Sequence, residues 1–115
     1  MKLSMLSSKV MVLSLLMLSL FSQQVFAENQ AGKVGRINLY GGDWGNGWRG
    51  GMLYKLDTMP AGISYFTVRA SDIAFDQFYA LLLAAKHAKS TVTVTYNAGA
   101  QDANGYVTTL AITDN

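Results

Sequence analysis

Residues Ser71–Tyr96, SDIAFDQFYALLLAAKHAKSTVTVTY, place one helix directly before one strand. Phe75, Phe78, Tyr79, Leu82 and Ala85 recur at helical spacing and make one apolar face. Ser71 is the expected N-cap and Asp72 the first-turn acid, while Lys86, His87 and Lys89 sit where cations suit the carbonyl end. Thr91–Asn97 then alternates strictly, with Val92, Val94 and Tyr96 predicted inward and three threonines outward. The opposite helix face, Gln77, Ala80, Ala84 and Ala88, is small and uncharged, whereas a solvated face usually carries several long charges. It would let a second helix approach closely, as an oligomer interface. An exposed alanine surface with no partner explains the same residues.

The segment before the helix reads as strand and loop. Gly32–Tyr40 alternates, and Gly35 inside it predicts a bend or bulge. Gly51–Asp57 and Ile63–Ala70 alternate as well, separated by a turn that carries Pro60 and Gly62. After the helix and Thr91–Asn97, a polar loop ending in Asn104-Gly105 leads into a last strand, Tyr106–Thr113. The order is β-β-β-α-β-β, mainly β with one helix. That is the order of a small five-stranded OB-fold barrel, whose helix sits between the third and fourth strands.

The chain opens with a segment of different character. Lys2 and Lys9 precede the apolar run Val10–Phe21, and Val25-Phe26-Ala27 has small-residue cleavage spacing. Residues 1–27 read as a signal peptide cut after Ala27, so the product is exported, periplasmic or secreted. The apolar run is too short to span a bilayer comfortably, and no membrane insertion is expected after cleavage. Removing it leaves 88 residues, 28–115, as a single domain. The formal charge of +2 resides in Lys2 and Lys9, so the remainder carries seven Lys and Arg against seven Asp and Glu. A nucleic-acid reader shows a basic footprint, and this chain has none once processed. With no cysteine to staple a small core, it must rely on packing, on association, or on both.

The segment Gly41–Gly51, GGDWGNGWRGG, holds both tryptophans of the chain. Asp43, Trp44, Asn46, Trp48 and Arg49 form the candidate ligand site. An indole face stacks on the apolar face of a pyranose, and carboxylate, amide and guanidinium groups bond its hydroxyls. Two other readings explain the same rings: a lid folded over the end of the core, and a contact with another chain. No catalytic constellation is evident. His87 is a lone histidine and there is no cysteine, so no metal and no cofactor is expected. Asp43, Asp57, Asp102 and Asp114 lack calcium-loop spacing, and Ser64, Ser71 and Ser90 have no nucleophile-elbow context. The chain is therefore not expected to be an enzyme.

Phe75-x-x-Phe78-Tyr79-x-Leu81-Leu82-Leu83-Ala84-Ala85-Lys86, Thr91–Val94, Val107–Ile112 and the opening Gly32–Ile37 together resemble the B subunit of subtilase cytotoxin and its small bacterial relatives. The resemblance covers nearly all of residues 32–113 and rests mostly on core positions. It implies an OB-fold subunit, a homo-oligomer of five with helices around a central pore, and recognition of sialylated glycans by a side surface. No sugar-contacting residue of that family is carried onto a position of this chain. The competing function is an orphan structural or protein-interaction domain of the bacterial envelope, without a small ligand.

Overall fold

The computed structural model describes residues 26–45 and 47–115. All but the end of the expected signal peptide, and Asn46 of the candidate site, lie outside the described residues. Among the described residues five strands and one helix follow in the expected order: β1 (Ala27–Leu39), β2 (Met52–Leu56), β3 (Tyr65–Val68), α1 (Phe75–Ala88), β4 (Thr91–Asn97) and β5 (Tyr106–Asp114). The strand order is β1-β2-β3-β5-β4, and β1 pairs with β4 as well as with β2, so the sheet closes on itself. Four pairings are antiparallel. The fifth, β3 with β5, is parallel, since the crossover through α1 and β4 returns the chain in the same direction.

Closure depends on β1, which serves two partners. Its first half pairs with β4 from Ala27↔Asn97 to Lys33↔Thr91, and its second half pairs with β2. The register slips between Val34 and Arg36, leaving Gly35 as the extra residue, the bulge its glycine predicted. Past the bulge the strand changes the face it buries: Val34 is in the core, and Ile37 packs against it from the other half. The strand starts five residues earlier than alternation predicted, so Glu28–Ala31 is also strand. Its residues stay mostly exposed, and the ladder to β4 holds them together with Thr95 Oγ1 donating to Asn29 Oδ1 (2.7 Å) and Tyr96 Oη donating to Glu28 (3.1 Å). Such a segment carries no hydrophobic periodicity to read.

The core takes alternate residues from β2, β3 and β4 and single ones from β1 and β5. Met52, Tyr54 and Leu56 of β2, Phe66 and Val68 of β3, Val92, Val94 and Tyr96 of β4 and Val107 of β5 are buried together with Leu82 and Ala85 of α1. Phe75, Phe78 and Tyr79 pack against this cluster from the helix, as their spacing predicted. Thr67 departs from the pattern. On the face opposite Phe66 and Val68, it is nonetheless buried, and its hydroxyl donates to the Val107 carbonyl (3.3 Å) across the parallel pair.

The start of the helix is built differently from its sequence signal, whereas Lys86 and His87 lie in its last turn as expected. α1 begins at Phe75, with Ala74 in the N-cap position and no side-chain cap. Ser71 is therefore not the cap. Asp72 instead folds the preceding turn, accepting from the Ala74 N–H through Oδ1 (2.9 Å) while its carbonyl accepts from Phe75 (3.1 Å). An Asx turn competes with the first helical turn for the same backbone, and here it prevails. At the other end Lys89 adopts a left-handed conformation (φ 55°), and the next residue, Ser90, donates its N–H to Ala85.

Candidate functional site

The Gly41–Gly51 connection between β1 and β2 is two consecutive turns. Gly41 O accepts from Trp44 N (3.1 Å), and Gly45 O accepts from Trp48 N (3.4 Å). Each tryptophan closes its own turn, and both indoles pack beside Tyr40. Gly47 and Gly50 have left-handed φ of 75° and 69°, which they adopt without a Cβ penalty. The loop base is held by Tyr40 N donating to Gly51 O (3.0 Å) and Gly51 N donating to Trp48 O (2.8 Å).

Beside this loop the parallel pairing of β3 and β5 places Tyr65 opposite Tyr106. Their rings meet edge to face at 5.7 Å, and Tyr106 meets Trp48 in the same way at 5.8 Å. Tyr40 lies 5.1 Å from Trp44 and 6.2 Å from Trp48. These are distances at which tilted rings attract beyond their buried area. Arg69, just past β3, lays its guanidinium 4.0 Å from the centre of the Trp48 ring and donates to the Gly47 carbonyl (2.6 Å). A cation over an indole face is the strongest arrangement of its kind. Trp48 is thereby fixed on three sides.

Trp44 is not fixed in that way. It is 54% exposed, with Tyr40 as its ring neighbour. Beside the rings and the 99–105 loop lies a cleft of about 470 Å³, lined by Tyr40, Trp44, Trp48 and Tyr106, by the polar side chains Arg69, Asp102 and Asn104, and by Leu53. The facing loop is built to keep its place. Asp102 Oδ1 accepts from the N–H groups of Asn104 and Tyr106 (2.9 Å each), and Gln101 donates to Gly62 O (2.7 Å). Gly105, with φ 79°, packs so tightly that a Cβ there would meet Gly62 O and Ser64 Oγ at 3.0 Å.

Of the predicted site residues the structure brings Trp44 and Trp48 together in the cleft. Asp43 and Arg49 are exposed on the same loop and do not line it. Tyr40, Arg69, Asp102, Asn104 and Tyr106 belong to the cleft and carried no signal in the sequence beyond strand-end and turn chemistry. On the helix, Gln77, Ala80, Ala84 and Ala88 are all exposed, as an outward face requires.

The cleft has the parts for stacking and hydrogen bonding. Among the described residues one carboxylate, Asp102, lines it, and one of that group's oxygens is spent on its own turn. No group of three or more His, Cys, Asp or Glu that could hold a metal occurs among the described residues, and no helix there is long and apolar enough to cross a membrane. No family model, curated protein or solved structure matches this chain.

Proposed function

We propose that this chain is an exported, non-catalytic binding subunit that takes a carbohydrate in the Tyr40–Trp44–Trp48–Tyr106 cleft. The exposed Trp44 indole, which shares its cleft with a braced Trp48 and with Asp102 and Asn104, carries this reading. A pyranose offers an apolar face to the indole and hydroxyls to the carboxylate and amide. Its volume suits the cleft, which falls in the range of about 300–1,000 Å³ usual for small-ligand sites. Two-carboxylate glycoside hydrolysis needs a second acid across the bond, and the cleft supplies only Asp102 among the described residues.

The architecture is proposed to be an OB-type barrel. A closed strand order and a single helix between the third and fourth strands support that reading. OB barrels bind on strand faces and the loops beside them, which is where the aromatic cleft lies. The likeness of the helix and flanking strands to the B subunit of subtilase cytotoxin adds export and a pentameric homo-oligomer to the proposal. The exposed small face of α1, Gln77, Ala80, Ala84 and Ala88, is the surface offered to neighbouring copies.

A second reading, a protein-interaction domain without a small ligand, has its own observation. Ile73 is 97% exposed, and Leu83 is 39% exposed on the nearby helix. A glycan array, read together with native mass, separates the two. Saturable glycan binding that Trp44→Ala abolishes supports the carbohydrate reading. No glycan bound by a folded oligomer, or full binding retained by Trp44→Ala, removes it.

A further inference from the structure

A second concavity lies away from the aromatic cleft, between β1 and the C-terminal half of α1. It has a volume of about 510 Å³. Its floor is apolar, made by Ile37 and Leu39 of β1 and by Tyr79 and Leu83 of α1. Its remaining lining, Lys86, His87 and Lys89, consists of basic side chains, and no carboxylate lines it among the described residues.

The groove arises from the fold. Beyond the Gly35 bulge, β1 turns Ile37 and Leu39 toward the helix, and α1 crosses them with Tyr79 and Leu83 one turn apart. The pair does not close. Leu39 remains 53% exposed and Leu83 39% exposed, so two leucines face water across an open channel. Cations at a helix C-terminus are ordinarily explained by the helix dipole. That accounts for Lys86, His87 and Lys89 but not for two open leucines beside them. Lys86 directs one N–H at the Gly35 carbonyl (3.2 Å), which anchors its ammonium at the mouth of the groove. Lys89 is held there by the left-handed turn that ends the helix.

We propose that this groove binds a monomeric single-chain amphiphile with an anionic head, of the fatty-acid carboxylate class. The alkyl chain lies along Ile37, Leu39, Tyr79 and Leu83, and the carboxylate sits among Lys86, His87 and Lys89. Charge complementarity selects the head: two lysines and a histidine line the groove with no opposing carboxylate among the described residues. The apolar floor selects the tail, since each methylene taken from water adds to affinity. The site is independent of the carbohydrate cleft.

The test is calorimetric titration of the purified protein with decanoate, octanoate, decyltrimethylammonium and decanol, all below their aggregation concentrations. Decanoate is expected to bind saturably at one site per chain. Octanoate, shorter by two methylenes, is expected to bind about fourfold more weakly or worse, the shortfall from full burial reflecting the open channel. Decyltrimethylammonium and decanol are expected to bind at least tenfold more weakly than decanoate. The double substitution Lys86→Gln and Lys89→Gln should weaken decanoate at least tenfold with glycan-cleft fluorescence unchanged. Leu83→Ser, at an exposed position, serves as the second variant and should weaken decanoate and octanoate alike.

Three results overturn the proposal. Equal binding of the cationic and anionic amphiphiles would make the groove a nonspecific apolar patch. Binding to anionic vesicles with no binding of monomeric decanoate would assign it to a membrane surface. Self-association that Leu83→Ser abolishes, with no saturable decanoate site, would assign it to a second copy of the chain.

Discussion

Tyr54, Phe66 and Tyr96 lie on the inner face of the sheet with neighbouring ring centres 5.4 Å apart. Tyr40, Trp44, Trp48, Tyr65 and Tyr106 form a second group outside it, with neighbouring centres 5.1–6.2 Å apart. Spacing does not distinguish the two groups. The inner rings are closed off from water, and both phenols have partners: Tyr54 Oη with Thr109 Oγ1 (2.7 Å) and Tyr96 Oη with Glu28 (3.1 Å). The outer rings stand on a loop of two turns and are braced by an arginine, leaving one indole facing a cleft. Aromatic clustering is thus a stability device in one place and an available surface in the other, and what separates them is burial of the edges.

The largest effect is expected in the inner group. Phe66→Ala removes a fully buried ring that touches both inner tyrosines and should cost about 3–5 kcal/mol. Denaturant unfolding followed by circular dichroism measures it. A cost below about 1 kcal/mol would mean that the inner cluster is not the centre of the core. Trp48→Ala belongs between the groups, because Trp48 is half-buried and holds Tyr40, Tyr106 and Arg69 together. About 2 kcal/mol of lost stability is expected, with disorder spreading through the 41–51 loop. Unchanged amide exchange in that loop would show that Arg69 and the turns hold it alone.

Tyr54→Phe sharpens the comparison through pH. Burial pushes the Tyr54 phenol well above its ordinary value, and the Thr109 hydroxyl offsets only part of that. Tyr96 is raised too, first by burial and then by the adjacent Glu28 carboxylate. Above about pH 10 the unfolded chain releases these protons before the folded one does, so stability falls as pH rises. At neutral pH, Tyr54→Phe leaves Thr109 without its partner and should cost about 1–2 kcal/mol. Between pH 10 and 12 the same variant should lose stability less steeply than the parent. Parallel alkaline curves would show that the Tyr54 phenol does not carry the effect.

What was legible in the sequence follows the same division. The inner face was readable because each contributor repeats locally: Phe75, Phe78, Tyr79, Leu82 and Ala85 at helical spacing, Val92, Val94 and Tyr96 at strand spacing. The bulge was readable from one glycine in an alternating run. In the cleft, Trp44 and Trp48 were readable as an unusual pair in a glycine-rich loop. Their partners were not, because Tyr40, Arg69, Asp102, Asn104 and Tyr106 meet through the parallel β3–β5 pairing and the clasp of Gly105 against Gly62 and Ser64. Contacts between distant segments leave no local period. The helix start failed for a different reason: Ser71 and Asp72 offer both a cap and a turn, and side-chain chemistry alone does not choose between them.

Trp44→Ala should have the smallest effect on stability and the most informative outcome. The ring is more than half exposed, and its ring neighbour Tyr40 also contacts Trp48, so Tyr40 keeps an anchor when Trp44 is gone. Its removal should therefore change stability by no more than about 0.5 kcal/mol, the range of ordinary surface substitutions. If the exposed indole is the stacking surface for a sugar, the same change should remove about 2 kcal/mol or more of binding, as loss of a central aromatic anchor does. Tryptophan fluorescence of the variant, which then reports Trp48 alone, follows the titration. The two groups of rings would lose their distinction if Trp44→Ala destabilised the protein as much as Trp48→Ala. In that event both indoles would be lids on the core, and the cleft would be a by-product of covering it.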